Sequence, residues 1–447
     1  MTDLAQLTAD LLDRAVSKGA EAADAIVSRG ASLSIEVRDG ALEHAERAEG
    51  VEIGIRALVG QKQACVSASD VRPETLDEIA ERAVQMARIA PEDPYIGLAG
   101  ADQLATDWDI AALDLCDASP DPSPAELEAD ARAAEGAALG VEGISKVQSA
   151  GAYISHSEIH LAATNGFSGG YARTGHGLSA VAITGEGTNM ERDYYGETRI
   201  YRDDVPNPDT VGRIAAERAL ARAGARKPPT GAFPVIYDER VASSLIGHLL
   251  QAANGASVAR GSSWLMEKVG EEVLPSGLSI VEDPHRVRVG GSRPFDAEGL
   301  PTAKRMIVEN GTLTGWTLDL ATARKLGMTS TASAARGPSA PPSPTTGNIS
   351  LTPGTVSRDD LLAEMGTGLL VTSLIGSSIN STTGDYSRGA SGFWVENGEI
   401  KYPVNECTIA GNLIDMLKTI VPADDGRTWT SRVVPSLLVE GLTIAGE

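Results

Sequence analysis

His156-Ser-Glu-Ile-His160 comes closest to metal-ligand spacing in this chain. On a helix, residues four apart share a face and could hold one ion. The surrounding Ala152-Tyr-Ile-Ser-His-Ser-Glu-Ile-His-Leu161 reads instead as a strand. Four residues along a strand span about 13 Å, too far for one zinc, so the pair reads as two polar histidines on one face. His248 lies in Ile246-Gly-His-Leu-Leu-Gln-Ala-Ala253, on a predicted helix. A zinc-peptidase helix needs two histidines on one face and a glutamate to activate water. His248 has neither companion, which leaves it a weak metal candidate and more simply a capping or core histidine. His176, in Thr174-Gly-His-Gly177, and His285, after Pro284, have turn-like surroundings and are expected at the surface or in loops.

The nucleophiles assemble no better. Cys65, Cys116 and Cys407 are far apart and form no Cys-x-x-Cys pair, which suits a reducing compartment without disulfides or a thiolate zinc site. Cys407 stands in an apolar context and reads as a buried thiol. Ser387 and the Ser377–Thr383 run lack a Gly-x-Ser-x-Gly elbow, and no histidine follows His285. No catalytic residue can be named from these side chains.

The elements that would position such groups are easier to read. Leu4, Leu7, Leu11 and Leu12 mark an amphipathic first helix. Period-two alternation from Ala22 to Ala68, broken by Asp39-Gly40, predicts an antiparallel meander. Pro73 to Ala90 reads as a helix, Pro91 to Pro122 as an irregular connection, and Ser123-Pro-Ala-Glu opens another helix with Ser as its cap. Strands return from Lys146 to about Ile200, followed by a helix from about Thr210 to Ala223. Arg226-Lys-Pro-Pro-Thr-Gly231 breaks every pattern, giving a first domain over 1–225 and a second over 232–447.

The second domain opens with a buried strand at Phe233–Tyr237 and a helix from Arg240. Asn310-Gly311 and Asn397-Gly398 are hairpin turns. Thr329 to Asn348, almost all Ser, Thr, Ala, Pro and Gly, is expected to be a long mobile loop, and Thr408 to Ile420 carries helical spacing. Asp385, Tyr386, Ser387, Arg388, Gly389, Gly392, Phe393 and Trp394, between the small-residue run and the hairpin turn, are read as lining a groove. Short helices mixed with hairpins predict an α+β fold.

Composition narrows the functions. A chain of 447 residues with a formal net charge of −23 and no basic run is a poor ligand for a phosphate backbone, so no nucleic-acid partner is expected. The first residues lack a basic n-region and an apolar core, and no run approaches the ~18 apolar residues that span a bilayer. The expected location is the cytoplasm, with no membrane partner.

The stretch "GDYSRGASGFWVENGEIKYPVNECTIAGNL" closely resembles the C-terminal signature of the TldD/PmbA (TldE) family, once called modulators of DNA gyrase. The likeness extends through "EGLPTAKRMIVENGTLTGWTLDLATARKLG", "PTTGNISLTPG", "SLIGHLLQAANGASVARGSSWL" and "NGFSGGYARTGHGLSAVAI", and so covers essentially the whole chain. The resemblance implies a heterodimeric metallopeptidase acting on unfolded peptides, including a microcin leader and an antitoxin. Its TldD-type subunit carries a His-Glu-x-x-x-His helix and a later cysteine that hold zinc. Registered on Arg260-Gly-Ser-Ser263, those helix positions fall at Ile246, Gly247 and Gln251; registered on His248, they give Leu249 and Ala253. Asp424-Asp-Gly-Arg-Thr428 stands where the cysteine would be. The resemblance therefore implies a PmbA/TldE-type, non-catalytic subunit with no cofactor of its own. Zinc belongs in a TldD-like partner, unfolded peptide is the substrate, and a homodimer is allowed when the chain is alone. A bulky residue at Gly389 or Gly392 is expected to reduce cleavage without preventing folding. The alternatives are a regulatory module that binds gyrase or another protein, and an independent peptidase with an unrecognised site.

Overall fold

The computed structural model describes residues 3–446; Met1 and Thr2, which begin the segment read for a leader, lie outside them. The Asp3 carboxylate accepts from Ala5 N and caps helix α1 (Leu4–Ser17), whose Leu4, Leu7 and Leu11 are buried. The meander follows as β1 (Ala22–Arg38), β2 (Ala41–Val59) and β3 (Lys62–Ala68), then helix α2 (Pro73–Ile89). Ser123 and Glu126 exchange hydrogen bonds in a capping box that opens α3 (Pro124–Leu139). Strands β4 (Ile144–Ala163), β5 (Ser168–Thr184) and β6 (Glu191–Arg199) and helix α4 (Pro208–Ala221) complete this half.

Its six strands form one antiparallel sheet in the order β3-β2-β1-β4-β5-β6. Side-chain alternation divides the faces. Ala23, Ala25 and Val27 pack with α1 and α2, while Ile35 and Val37 farther along β1 pack with α3 and α4. Ile26 points the other way, into a cluster with Leu161, Phe167 and Phe295 of the second half.

The second half runs β7 (Gly231–Tyr237), α5 (Glu239–Ala252), α6 (Gly255–Ala259), β8 (Ile280–Glu282), β9 (Arg305–Glu309), β10 (Thr312–Leu313) and α7 (Leu320–Leu326). It continues through β11 (Ala334–Ala335), β12 (Ser343–Pro344), β13 (Ile349–Leu351), α8 (Arg358–Met365), β14 (Gly368–Ile379), β15 (Asp385–Glu396) and β16 (Glu399–Asn412). Helix α9 (Leu413–Lys418) and strands β17 (Val421–Pro422), β18 (Arg432–Val433) and β19 (Leu437–Ala445) end it. Strands β16, β15, β14, β7 and β19 are neighbours in that order, and β16 also pairs with β19, so the five close into a barrel. Tyr237 and Trp394 are among the largest side chains buried in its core. Asn397 and Gly398, at φ 53° and 77°, make the left-handed pair of the β15–β16 turn. The fold is α+β, as the mixed pattern predicts.

Two expectations fail, each for a tertiary reason. Residues 408–412 extend β16, because Thr408, Ile409 and Ala410 pair with β15 on one side and β19 on the other; only Leu413–Lys418 is helical, capped by Asn412. The loop expected to be mobile at 329–348 is a packed strap. Its β11–β12 pairing, the buried Ser333, Ala334 and Asn348, and an ion pair from Arg336 to Asp24 fasten it to the first half.

A cleft beside α5 and the outer edge of β14

Helix α5 starts after β7, with the Asp238 carboxylate accepting from Arg240 N. Its apolar side, including Leu245, Ile246 and Leu249, is buried in the barrel core. His248 faces Tyr386, with ring centroids 5.8 Å apart. Its Nε2 is buried and has no hydrogen-bond partner among the described residues. Burial, with Arg388 nearby, pushes the imidazole below its ordinary value and keeps it neutral. The Tyr237 hydroxyl bonds that of Tyr386 at 3.3 Å, and burial pushes both phenols up.

The positions where the resemblance would put a zinc motif do not offer a ligand set. Ile246 is fully buried and Gly247 has no side chain, while Gln251 Nε2 donates to Ser257 Oγ at 3.2 Å. Asp425, in the segment matching the later cysteine, accepts from Ser436 N and Oγ, both at 2.7 Å. Among the described residues, no three His, Cys, Asp or Glu side chains gather closely enough to share an ion.

The residues read as a groove are divided by the strand they occupy. Asp385 is exposed, and Ser387, Arg388, Gly389 and Phe393 are half-buried. Tyr386, Gly392 and Trp394 turn into the protein and support the surface from within rather than line it. A Cβ at Gly392 would overlap the Leu370 carbonyl. Strand β15 is hydrogen-bonded to β14 and β16, so it has no free edge for a peptide to join.

A free edge lies on β14. That strand pairs with β7 only over Leu369–Val371, whereas its pairing with β15 continues to Ile379. Beyond Val371 its outer edge opens onto a cleft of about 880 Å³ between the two halves. The far wall is β6 with Met190, Arg192 and Tyr194; the near wall is Thr372, Leu374, Ile375 and Arg388, with Val241 and Ser244 of α5 beside them.

The other histidines stay apart from this cleft. His156 and His160 lie on β4 as expected; one bonds Asp121 at 3.0 Å and the other Thr8 Oγ1 at 2.9 Å. His285, exposed in a turn, bonds Thr302 Oγ1 at 3.1 Å. His176 corrects its expectation: it is on β5, 5% exposed and 3.5 Å from the Asp117 carboxylate. Asp117 comes from the connection before α3, which local sequence around His176 does not reveal. Cys407 is buried, donates to the Ala390 carbonyl, and is pushed up to about 11 by burial. Between the halves lies a charged cluster that the sequence reading missed. Asp24 binds Arg56 and Arg336 on the first sheet's far face, and Glu298 adjoins them.

Domain models of the PmbA/TldA metallopeptidase match residues 23–87 (domain 1), 117–223 (central domain) and 230–446 (C-terminal domain). The chain belongs to the PmbA/TldD metallopeptidase family. The metalloprotease PmbA of Escherichia coli O157:H7 is 38% identical over 436 residues, which cover 96% of this chain and 93% of that protein. A PmbA homologue from Haemophilus influenzae is 36% identical over 455 residues, with 99% and 96% covered. The crystal structure of a candidate modulator of DNA gyrase from Bacteroides thetaiotaomicron superposes with a TM-score of 0.91 at 26% identity, covering 99% of this chain and 98% of that one. TldE from Thermococcus kodakarensis shares the fold, with a TM-score of 0.85 at 20% identity and 98% and 100% covered. In this PmbA/TldD chain, the residues that sequence reasoning missed are Met190, Arg192, Tyr194, Thr372 and Ile375. They come from two distant stretches, β6 with the residue before it and β14, and the local signal was the set of apolar residues at exposed positions.

Proposed function

We propose that this chain is the TldE-type subunit of a two-subunit zinc peptidase that processes unfolded peptides, as in leader maturation or antitoxin removal. It walls the peptide path, while a TldD-like partner holds the zinc and cleaves. The observation that supports this reading is the helix α5: Ile246 and Gly247 supply no donor, and Gln251 is an amide, where a His-Glu-x-x-x-His helix needs two imidazoles and a carboxylate. A single neutral His248, set edge to face with Tyr386, would bind zinc far more weakly than a three-ligand site. The peptide would run along the outer edge of β14, where β7 stops pairing after Val371, up to the Gly376 carbonyl that Arg388 engages. The three free cysteines suit the cytoplasm as the working compartment.

The test is co-expression with a TldD-type chain from the same genome. The two should elute together, with zinc in proportion to the partner, and only the pair should cleave an unfolded peptide. Hydrolysis by this chain alone, abolished by a chelator, would replace the reading with that of an independent enzyme.

A further inference from the structure

The cleft between β6 and β14 has a chemical character that the chain as a whole lacks. In a protein of net charge −23, four arginines reach it: Arg192, Arg222, Arg240 and Arg388. Two are neutralised in place. Arg222 pairs with Glu191 and Asp193, and Arg240 with Asp193 and Asp238. The other two have neutral partners: Arg192 donates to Gln148 Oε1 at 3.0 Å and Arg388 to the Gly376 carbonyl at 2.7 Å. Among the described residues, two positive charges are thus left without a carboxylate. Three large apolar side chains stand exposed on the same walls, Ile375 at 71%, Tyr194 at 60% and Met190 at 45%. Thr372, only 6% exposed, also lines the cleft, and its hydroxyl has no hydrogen-bond partner among the described residues. A solvated wall needs neither the apolar cluster nor an orphaned buried hydroxyl.

From this juxtaposition we infer that the cleft selects an extended peptide segment whose apolar side chains are flanked by Asp or Glu side chains. Its backbone pairs with β14 beyond Val371, its apolar side chains cover Ile375, Met190 and Tyr194, and its carboxylates meet Arg192 and Arg388. The inference rests on the peptide-handling reading above and adds the class of sequence preferred. Bulges in β14 at Val371/Ser373 and Ile375/Ser378 keep the paired stretch short, so side chains rather than main chain carry the selectivity.

The probe is a fluorescein-labelled peptide of alternating Glu and Val, with a Lys–Val peptide as its counterpart, titrated into the full-length chain by fluorescence anisotropy. The Glu peptide should bind at least about tenfold more tightly, and the preference should shrink as salt is raised. Arg192→Glu and Ile375→Asp, both at exposed positions, should each weaken it by about tenfold or more. Equal binding of the two peptides, no binding of either, or indifference to both substitutions would overturn the inference. Co-elution with a TldD-type chain is scored separately. An intact pair with no acidic preference sinks only this inference, whereas loss of the pair sinks the functional reading.

Discussion

Arg336 crosses from the strap behind β11 to form a buried ion pair with Asp24 on β1, and the same carboxylate also binds Arg56. The Arg336 side chain has no solvent exposure, and the carboxylate between the two guanidiniums is 4% exposed. One carboxylate therefore joins the strap of the second half to the sheet of the first. Asp24→Asn leaves two buried cations without their counter-ion, which should cost about 3–5 kcal/mol in urea unfolding. Arg336→Ala leaves the Asp24–Arg56 pair in place and should cost less, yet it should free the 329–348 strap to proteolysis. An Asp24→Asn protein as stable as the parent would mean the pair carries no net stabilisation.

Glu298 lies against this cluster with its Oε2 accepting from Leu320 N at 2.8 Å. Burial, reinforced by the adjacent Asp296, raises its carboxyl to about 8, so it is neutral in the folded protein at pH 7. Its folded value is raised above the unfolded one of 4.5. The stabilisation is therefore complete below about pH 4.5 and is lost as pH rises towards 8, by an amount on the order of a few kcal/mol. Glu298→Gln keeps an acceptor for Leu320 N and removes the titration. The variant's thermal midpoint should fall less than the parent's between pH 5 and about 8; parallel curves would show that Glu298 does not titrate in this window.

The architecture was legible where local pattern and tertiary context agree. The alternation from Ala22 to Ala68 gave β1 and β2, Ser123 and Glu126 gave the start of α3, and Asn397-Gly398 gave its hairpin. It was not legible where a distant partner decides. Residues 408–412 carry helical spacing but are held in β16 by β19, and the polar strap at 329–348 is ordered by Arg336 reaching Asp24. The site shows the same division. The Asp385–Trp394 stretch stands out in sequence because its glycines and aromatics satisfy close packing inside a barrel. The exposed cleft is assembled from β6 and β14, whose proximity no local pattern records.

His248 and His176 supply an acid-side test. Burial holds both imidazoles below their ordinary value, against the pull of Asp117 in the case of His176. The folded state thus prefers them neutral. Their contribution is full above about pH 6.5 and is lost as pH falls through the lowered folded values. His248→Phe removes one such group without breaking a hydrogen bond, since Nε2 makes none among the described residues. Its stability at pH 7 should lie within about 1 kcal/mol of the parent, and its unfolding midpoint should fall less steeply from pH 7 to 5. Zinc content, read by elemental analysis after dialysis, should be the same for parent and variant; loss of a bound zinc in the variant would restore His248 as a ligand.

Gly389 and Gly392, two strand positions that the sequence treats alike, should part company. At Gly389 a Cβ would meet the Ile375 carbonyl at 3.3 Å and the Ile375 Cβ at 3.5 Å, on a half-buried surface where Ile375 can shift. At Gly392 it would strike the Leu370 carbonyl, with the carbonyl carbon 2.9 Å away, inside the paired β14–β15 ladder. The expectation that both tolerate bulk therefore meets a backbone obstacle at Gly392. Gly389→Ala should change stability by less than about 1 kcal/mol, whereas Gly392→Ala should lose about 1–3 kcal/mol or fail to accumulate as folded protein. If the path of the peptide passes β14, Gly389→Ala acts on it only through Ile375, which forms part of the cleft wall. Peptide cleavage by the assembled pair should then fall modestly in Gly389→Ala, with folding intact by circular dichroism. Equal stability of the two alanine variants would mean that β15 can draw away from Leu370 at little cost.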